Sequence, residues 1–101
     1  MAKITLCGST KFMNEFNKQN KKLTLDGHIV YSVAICKGDN PTDDQKLKLD
    51  AIHMVKILNS DRIHVINVGG YIGESTMREI HFARCLGKEI TYLERDKRFL
   101  P

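Results

Sequence analysis

The feature that most constrains this chain is the regular alternation of short apolar runs with amphipathic stretches of helical period. Four runs rich in β-branched and apolar residues are predicted strands, at 3–7, 28–35, 61–68 and 89–93. The stretches between them, at about 11–25, 42–59 and 75–86, are predicted helices. Strands separated by helices pair in parallel through right-handed crossovers. The sequence therefore predicts an α/β domain.

Four strands and three helices predict a small open parallel sheet of the flavodoxin-like or Rossmann-like kind. We expect the strand order 2-1-3-4, with helices on both faces. The length of 101 residues predicts a single domain spanning residues 1–101. The core of so short a chain is thin, so self-association is expected, most simply as a two-fold homodimer. Ligands bind such sheets beyond the carboxyl ends of the strands, where the winding reverses. The loops after the first and third strands are therefore the predicted site.

Composition excludes several classes of protein. The three cysteines form no CxxC pair, and the four histidines form no HxxxH or HExxH motif. We therefore expect no disulfide framework, no metal site and no cofactor. The expected location is the reducing cytoplasm. The apolar runs are far shorter than the roughly 20 residues that span a bilayer. The net charge of +4 is mild. The lysines that contribute to it are not interleaved with aromatic residues, which argues against a nucleic-acid surface. These lysines form either a solvated helix face or a surface that attracts phosphates.

The apolar residues of the second predicted helix recur at i, i+4, i+7 and i+11. This stripe, which should face the core, consists of Leu47, Ala51, Met54 and Leu58. Asp50 and His53 stand off the stripe. They belong either to an exposed polar face or to a catalytic pair.

Two loops offer backbone to a ligand. Gly8, Ser9 and Thr10 join the first strand to the first helix, where free N–H groups and the helix dipole favour an anion. The two hydroxyl groups can equally cap the helix. The glycine-rich segment 69–73 lets backbone approach a ligand closely.

Glu79 is the most informative acidic residue. Phe82, Ala83 and Leu86 follow it at i+3, i+4 and i+7, so Glu79 extends the apolar stripe of the third helix toward the ligand edge of the sheet. Alternatively, the pattern Thr76-x-x-Glu79 is a capping box, which gives the acid a structural role. Cys7, at the end of the first strand, is either a buried structural cysteine or a thiolate nucleophile.

Three segments carry a resemblance to a known family: ITLCGST at 4–10, LDAIHMVKILNSD at 49–61 and VINVGGYIGESTMREIHFARCLGKEITYLE at 65–94. Together they resemble the nucleoside 2-deoxyribosyltransferase superfamily, above all its short bacterial and phage-type members, over residues 3–94. The resemblance implies that Glu79 is the nucleophile. It would attack C1′ of the sugar, expel the base and form a glycosyl-enzyme ester, which a second base or water then resolves.

The resemblance also implies a set of substrate contacts. The 5′-phosphate of a nucleotide would be held by the two loops that flank the nucleophile, through Gly8, Ser9, Thr10, Gly73, Ser75 and Thr76. The classical transferases have an aspartate on the second helix where this chain has His53, with Asp50 one turn earlier. Either His53 protonates the leaving base, or the standard activity is lost. The expected function is therefore cleavage or exchange of an N-glycosidic bond, and the alternative is a non-catalytic nucleotide-binding module.

Overall fold

The computed structural model describes residues 1–34 and 38–95. The strands and helices are β1 (Lys3–Gly8), α1 (Met13–Leu25), β2 (Ile29–Tyr31), α2 (Asp43–Leu58), β3 (Arg62–Ile66), α3 (Glu74–Cys85) and β4 (Glu89–Tyr92). A 3-10 turn at Thr10–Phe12 precedes α1, and a second one at Val68–Gly70 follows β3. None of the helices in these two ranges is long and apolar enough to cross a membrane.

The four strands form one all-parallel sheet in the order β2-β1-β3-β4, which confirms the predicted α/β topology. The chain steps outward from β1 to β2, then returns to the other side of β1 to form β3 and β4. The winding therefore reverses between β1 and β3. Cys7 near the end of β1 lies opposite Val65 of β3, so the carboxyl ends of these two strands lie side by side at the reversal.

The alternating side chains of β1 divide the core into two layers. Ile4 and Leu6 pack with Phe16 of α1, whereas Cys7 packs with Ile57 of α2 and Ile80 of α3. Helix α1 therefore covers one face of the sheet, and α2 and α3 cover the other, which confirms helices on both faces. This alternation places the Cys7 side chain under the same two helices that carry His53 and Glu79.

The second strand is shorter than the run of apolar residues that predicts it. Only Ile29–Tyr31 pairs with β1, although the predicted strand covers 28–35. Directly after Tyr31, the Ser32 carbonyl oxygen accepts a hydrogen bond from the Lys56 ammonium of α2 over 2.7 Å. Ile35 and the first two residues of the predicted loop, Cys36 and Lys37, lie outside the described residues.

The predicted buried stripe of α2 is wrong at three of its four positions: Met54 packs against the core, but Leu47, Ala51 and Leu58 are exposed. Leu47 is 69% exposed and Leu58 is 47% exposed, whereas Ile57 is fully buried. The helix carries apolar side chains on two faces, and the face with His53 and Ile57 is the one that packs against the sheet. The second apolar face is open and consists of Leu47, Ile52, Val55 and Leu58.

Candidate functional site

A cleft of about 740 Å³ opens at the carboxyl ends of β1 and β3. Its walls come from the loop after β1, the segment before α2, the inner face of α2 and the first turns of α3. All nine residues predicted for the site line this cleft: Gly8, Ser9, Thr10, Asp50, His53, Gly73, Ser75, Thr76 and Glu79. The structure thus brings together residues that are up to 71 positions apart in sequence, as expected for the point where the winding reverses.

Glu79 and His53 form the inner end of the cleft. The Glu79 Oε1 atom lies 3.3 Å from Nε2 of His53, and the two side chains are only 16% and 12% exposed. His53 therefore does not belong to an exposed polar face. Asp50, one turn earlier on α2, is exposed at the rim.

Cys7 completes a three-residue cluster behind the cleft. Its Sγ atom lies 3.4 Å from His53 Nε2, and the residue is fully buried. Burial raises the pKa of the Cys7 thiol well above its ordinary value, and the negative charge of Glu79 and a hydrogen bond to it raise the pKa further. The thiol is therefore protonated at neutral pH, which favours the buried structural cysteine over a thiolate nucleophile.

The capping-box interpretation of Glu79 is wrong. Helix α3 begins at Glu74 with Gly73 as its N-cap, and among the described residues no side chain caps it. Thr76 is buried within the first turn, so Glu79 lies one turn further along, beyond reach of the N-cap amide. The carboxylate consequently has no capping role and contacts His53 instead.

The start of α3 has the properties of an anion site. The first intrahelical bond runs from Met77 N–H to the Gly73 carbonyl oxygen, so the amides of residues 74–76 precede the hydrogen-bond ladder of the helix. These amides and the positive end of the helix dipole lie at the cleft, which favours a bound anion. The Ser75 hydroxyl accepts a hydrogen bond from Arg78 over 3.2 Å, which places a cation beside this turn.

The loop after β1 has both a packing role and a capping role. A Cβ atom added at Gly8 would lie 2.9 Å from the Ile66 carbonyl oxygen, so glycine allows β1 and β3 to approach closely at their ends. The Ser9 hydroxyl caps the 3-10 turn and accepts from the Lys11 N–H over 3.4 Å. Ser9 therefore caps this turn and not α1, whose N-cap is Phe12 and which has no side-chain cap within the described part of the chain. At this long distance the hydroxyl remains available to a ligand at the cleft.

Tyr71 is a cleft residue that the sequence predictions missed. The Lys11 ammonium lies 3.7 Å from the centroid of its ring, and the Phe12 ring meets it edge-on at 6.0 Å. Tyr71 therefore forms an aromatic wall joined to the β1 loop by a cation–π contact. An aromatic residue within a glycine-rich loop is the signal that could have identified it.

Asn67 and Glu94 hold the loop that carries Tyr71. The fully buried Asn67 side chain donates to the Glu94 carbonyl oxygen and accepts from the Glu94 N–H, each over 2.8 Å. The Glu94 carboxylate in turn accepts from the Gly69 N–H over 2.6 Å. Gly69 has φ +64°, which glycine adopts without strain. The turn after β3 is thus fixed by side chains at both of its ends.

Comparisons of this chain with protein-family models, curated proteins and solved structures give no match.

Proposed function

We propose that this protein cleaves or exchanges the N-glycosidic bond of a nucleoside, deoxynucleoside or nucleoside 5′-monophosphate, with Glu79 as nucleophile. The observation that carries the proposal is the position of the Glu79 carboxylate. It lines the inner end of the cleft beside His53, and it takes no part in capping α3. A partly buried carboxylate at the ligand edge of the sheet is suited to reaction with a bound sugar.

The proposed chemistry is a double displacement. Glu79 attacks C1′ of the sugar as the bond from C1′ to the base nitrogen breaks, and the base leaves with the bonding electrons. His53 donates a proton to the leaving base, since its imidazole lines the same cleft and a protonated imidazole is a general acid. Water, or a second base, then attacks C1′ of the glycosyl ester and releases Glu79. Asp50 at the rim would contact the base.

The phosphate of a nucleotide would lie between two segments that both line the cleft. One is the turn at Gly8, Ser9 and Thr10, and the other is the first turn of α3 with Ser75 and Thr76. Hydroxyl groups and uncapped amides donate hydrogen bonds to phosphate oxygens, and the helix dipole adds to the attraction. This arrangement supports a 5′-monophosphate as the preferred substrate.

A non-catalytic nucleotide-binding or partner module is the second candidate. The open apolar face of α2 favours it, because exposed apolar patches mark interaction surfaces. For the enzyme, in contrast, we propose that a second copy of the chain covers this face in a homodimer. A reducing cytoplasmic setting suits Cys7 and Cys85, which are both free thiols.

Incubation of the purified protein with a panel of ribo- and deoxyribonucleosides and their 5′-monophosphates tests the proposal. Chromatography should show a free base released from at least one member of the panel. A second base added in excess should yield a new nucleoside if the protein is a transferase, and none if it is a hydrolase. Binding of nucleotides without release of any base would instead establish the non-catalytic module.

A further inference from the structure

The Cys7, His53 and Glu79 cluster has a composition that the proposed glycosidic chemistry does not require. A thiol, an imidazole and a carboxylate come from three separate elements, β1, α2 and α3, and their ligand atoms all lie within 4.8 Å of one another. Glycosyl transfer needs the carboxylate and a proton donor, but it gives no role to a fully buried thiol beside them. These three side chains are, however, the usual protein ligands of zinc.

Two of the three distances within the cluster are close to those that a metal ion would impose, and the third, between Cys7 and Glu79, lies within 4.8 Å. Zinc bonds are about 2.3 Å long to sulfur and about 2.05 Å long to nitrogen or oxygen. In tetrahedral geometry, these bond lengths place a sulfur and a nitrogen ligand roughly 3.5 Å apart, and a nitrogen and an oxygen ligand roughly 3.3 Å apart. The Cys7 Sγ atom lies 3.4 Å from His53 Nε2, and His53 Nε2 lies 3.3 Å from Glu79 Oε1. Small side-chain adjustments would therefore suffice to coordinate the ion.

We propose that Cys7, His53 and Glu79 form a zinc site with three protein ligands and a fourth position open to the cleft. His53 and Glu79 line the cleft and give the ion an entry path, and Cys7 lies behind them. The ion displaces the thiol proton of Cys7, which leaves to solvent, and the resulting thiolate and the carboxylate together balance its two positive charges. A thiolate, an imidazole and a carboxylate favour Zn²⁺ over Mg²⁺ or Ca²⁺, which prefer oxygen ligands.

The sequence predicts no metal site, because linear motifs such as CxxC or HExxH are missing. The three ligands proposed here lie 26 to 72 positions apart and meet only through the packing of α2 and α3 on β1. A bound ion would also occupy the Glu79 carboxylate, so the metal-bound state and the glycosyl-transfer state would exclude each other. This consequence rests on the proposed function, but the metal site itself does not.

Titration of the reduced, metal-free protein with Co²⁺ alone tests the site independently of any activity. We expect one ion per chain, with a thiolate-to-cobalt charge-transfer absorption in the near ultraviolet and the intense visible bands of tetrahedral cobalt. Stoichiometric Zn²⁺ should abolish both signals. Changes outside the first coordination shell commonly weaken metal binding 10–100-fold, so loss of a direct ligand in Cys7→Ser or Glu79→Gln should weaken binding at least about tenfold. Cys7→Ser should also remove the charge-transfer band.

The matched control is Cys85→Ser. Cys85 also lies near a histidine, with Sγ 3.6 Å from His81 Nε2, but among the described residues this pair belongs to no group of three metal ligands. Its loss should leave cobalt binding unchanged. If Cys7→Ser does not fold, as judged by circular dichroism, His53→Gln carries the same test, since its side chain reaches the cleft. No charge-transfer band in the wild-type protein, or a band that Cys85→Ser removes, would overturn the proposal.

Discussion

Replacement of Gly8 by alanine tests how the carboxyl ends of β1 and β3 are fitted together. The new Cβ would lie 2.9 Å from the Ile66 carbonyl oxygen, 3.1 Å from Ile66 Cβ and 3.4 Å from Phe16. Neither neighbour can move freely, because Ile66 is 1% exposed and Phe16 is fully buried. Overpacking of this kind costs about 1–3 kcal/mol. Gly8 also has φ +157°, a backbone conformation that residues with a side chain rarely adopt, so alanine adds backbone strain to this loss.

We therefore expect Gly8→Ala to lower the free energy of unfolding by at least about 1 kcal/mol, which corresponds to a drop of at least roughly 4–8 °C in Tm for a domain of this size. Urea unfolding followed by circular dichroism measures the change, and the slope m should stay constant. Because the strain lies at the loop that carries Ser9 and Thr10, the affinity for nucleotides should also fall.

Gly73→Ala is the matched control. There the nearest atom to a new Cβ is the hydroxyl oxygen of Tyr71, at 3.2 Å, at the end of a side chain that is 48% exposed and can rotate away. Gly73 has φ −78°, which alanine adopts readily. Alanine is a poorer N-cap than glycine, which destabilises the folded protein, whereas it also makes the unfolded chain stiffer, which stabilises the folded protein. The free energy of unfolding should therefore change by no more than about 1 kcal/mol. If Gly8→Ala costs no more than Gly73→Ala, the close approach at Ile66 does not constrain the fold.

Three further results are expected. A nucleoside 5′-monophosphate should bind at least about tenfold more tightly than its nucleoside, since a charge-assisted hydrogen bond contributes about 1.5–3 kcal/mol; equal affinities by calorimetry would reject the phosphate site. Burial, together with the positive charges of Arg62 and Lys22, lowers the pKa of His64 in the folded state. The stability that neutral His64 contributes should therefore be complete above the ordinary histidine pKa of about 6.5, and it should be lost as the pH falls through the lowered pKa. Urea unfolding near pH 7.5 and pH 5 should show a weaker pH dependence for His64→Gln than for the wild type, and an unchanged dependence would contradict this. Leu47→Asp combined with Val55→Asp should shift a dimer to a monomer in light scattering, and a wild-type protein that is already monomeric at high micromolar concentration would exclude the proposed homodimer.

The fold could be predicted because strand and helix periods alternate cleanly along the chain. The topology 2-1-3-4 follows from that alternation together with short connections and right-handed crossovers. The buried face of α2 could not be predicted, because the helix has two apolar faces. Only the packing of Ile57 on the sheet, with Leu47 left exposed, distinguishes them. The apolar run of β2 continues beyond Tyr31, where its pairing with β1 ends, so the local pattern did not indicate the length of the strand.

The site could be predicted in position but not in detail. The rule for parallel sheets located the cleft, and the stripe of α3 pointed Glu79 toward it. The capping-box alternative failed because it needed Thr76 as the N-cap, three residues later than the observed N-cap Gly73, and helix ends are the least certain feature of a sequence pattern. The contact between Cys7 and His53 was not predicted, since it requires α2 to cross over β1. Alternation of side chains along β1 would have placed Cys7 on the sheet face opposite Leu6, but it would not have identified His53 as the contact of Cys7.

The central claim is that Glu79 is the nucleophile, and the most direct measurement is the rate of base release by Glu79→Gln beside Glu74→Gln. Both acids line the cleft, and the neutral amide of Glu79→Gln cannot form a glycosyl ester. We expect base release by Glu79→Gln to fall at least about 10³-fold, with nucleotide binding retained and little change in stability, since no helix cap depends on this carboxylate. Glu74→Gln should retain most of the activity. Base release at the wild-type rate by Glu79→Gln would contradict the account and would move the search for the nucleophile to Glu74.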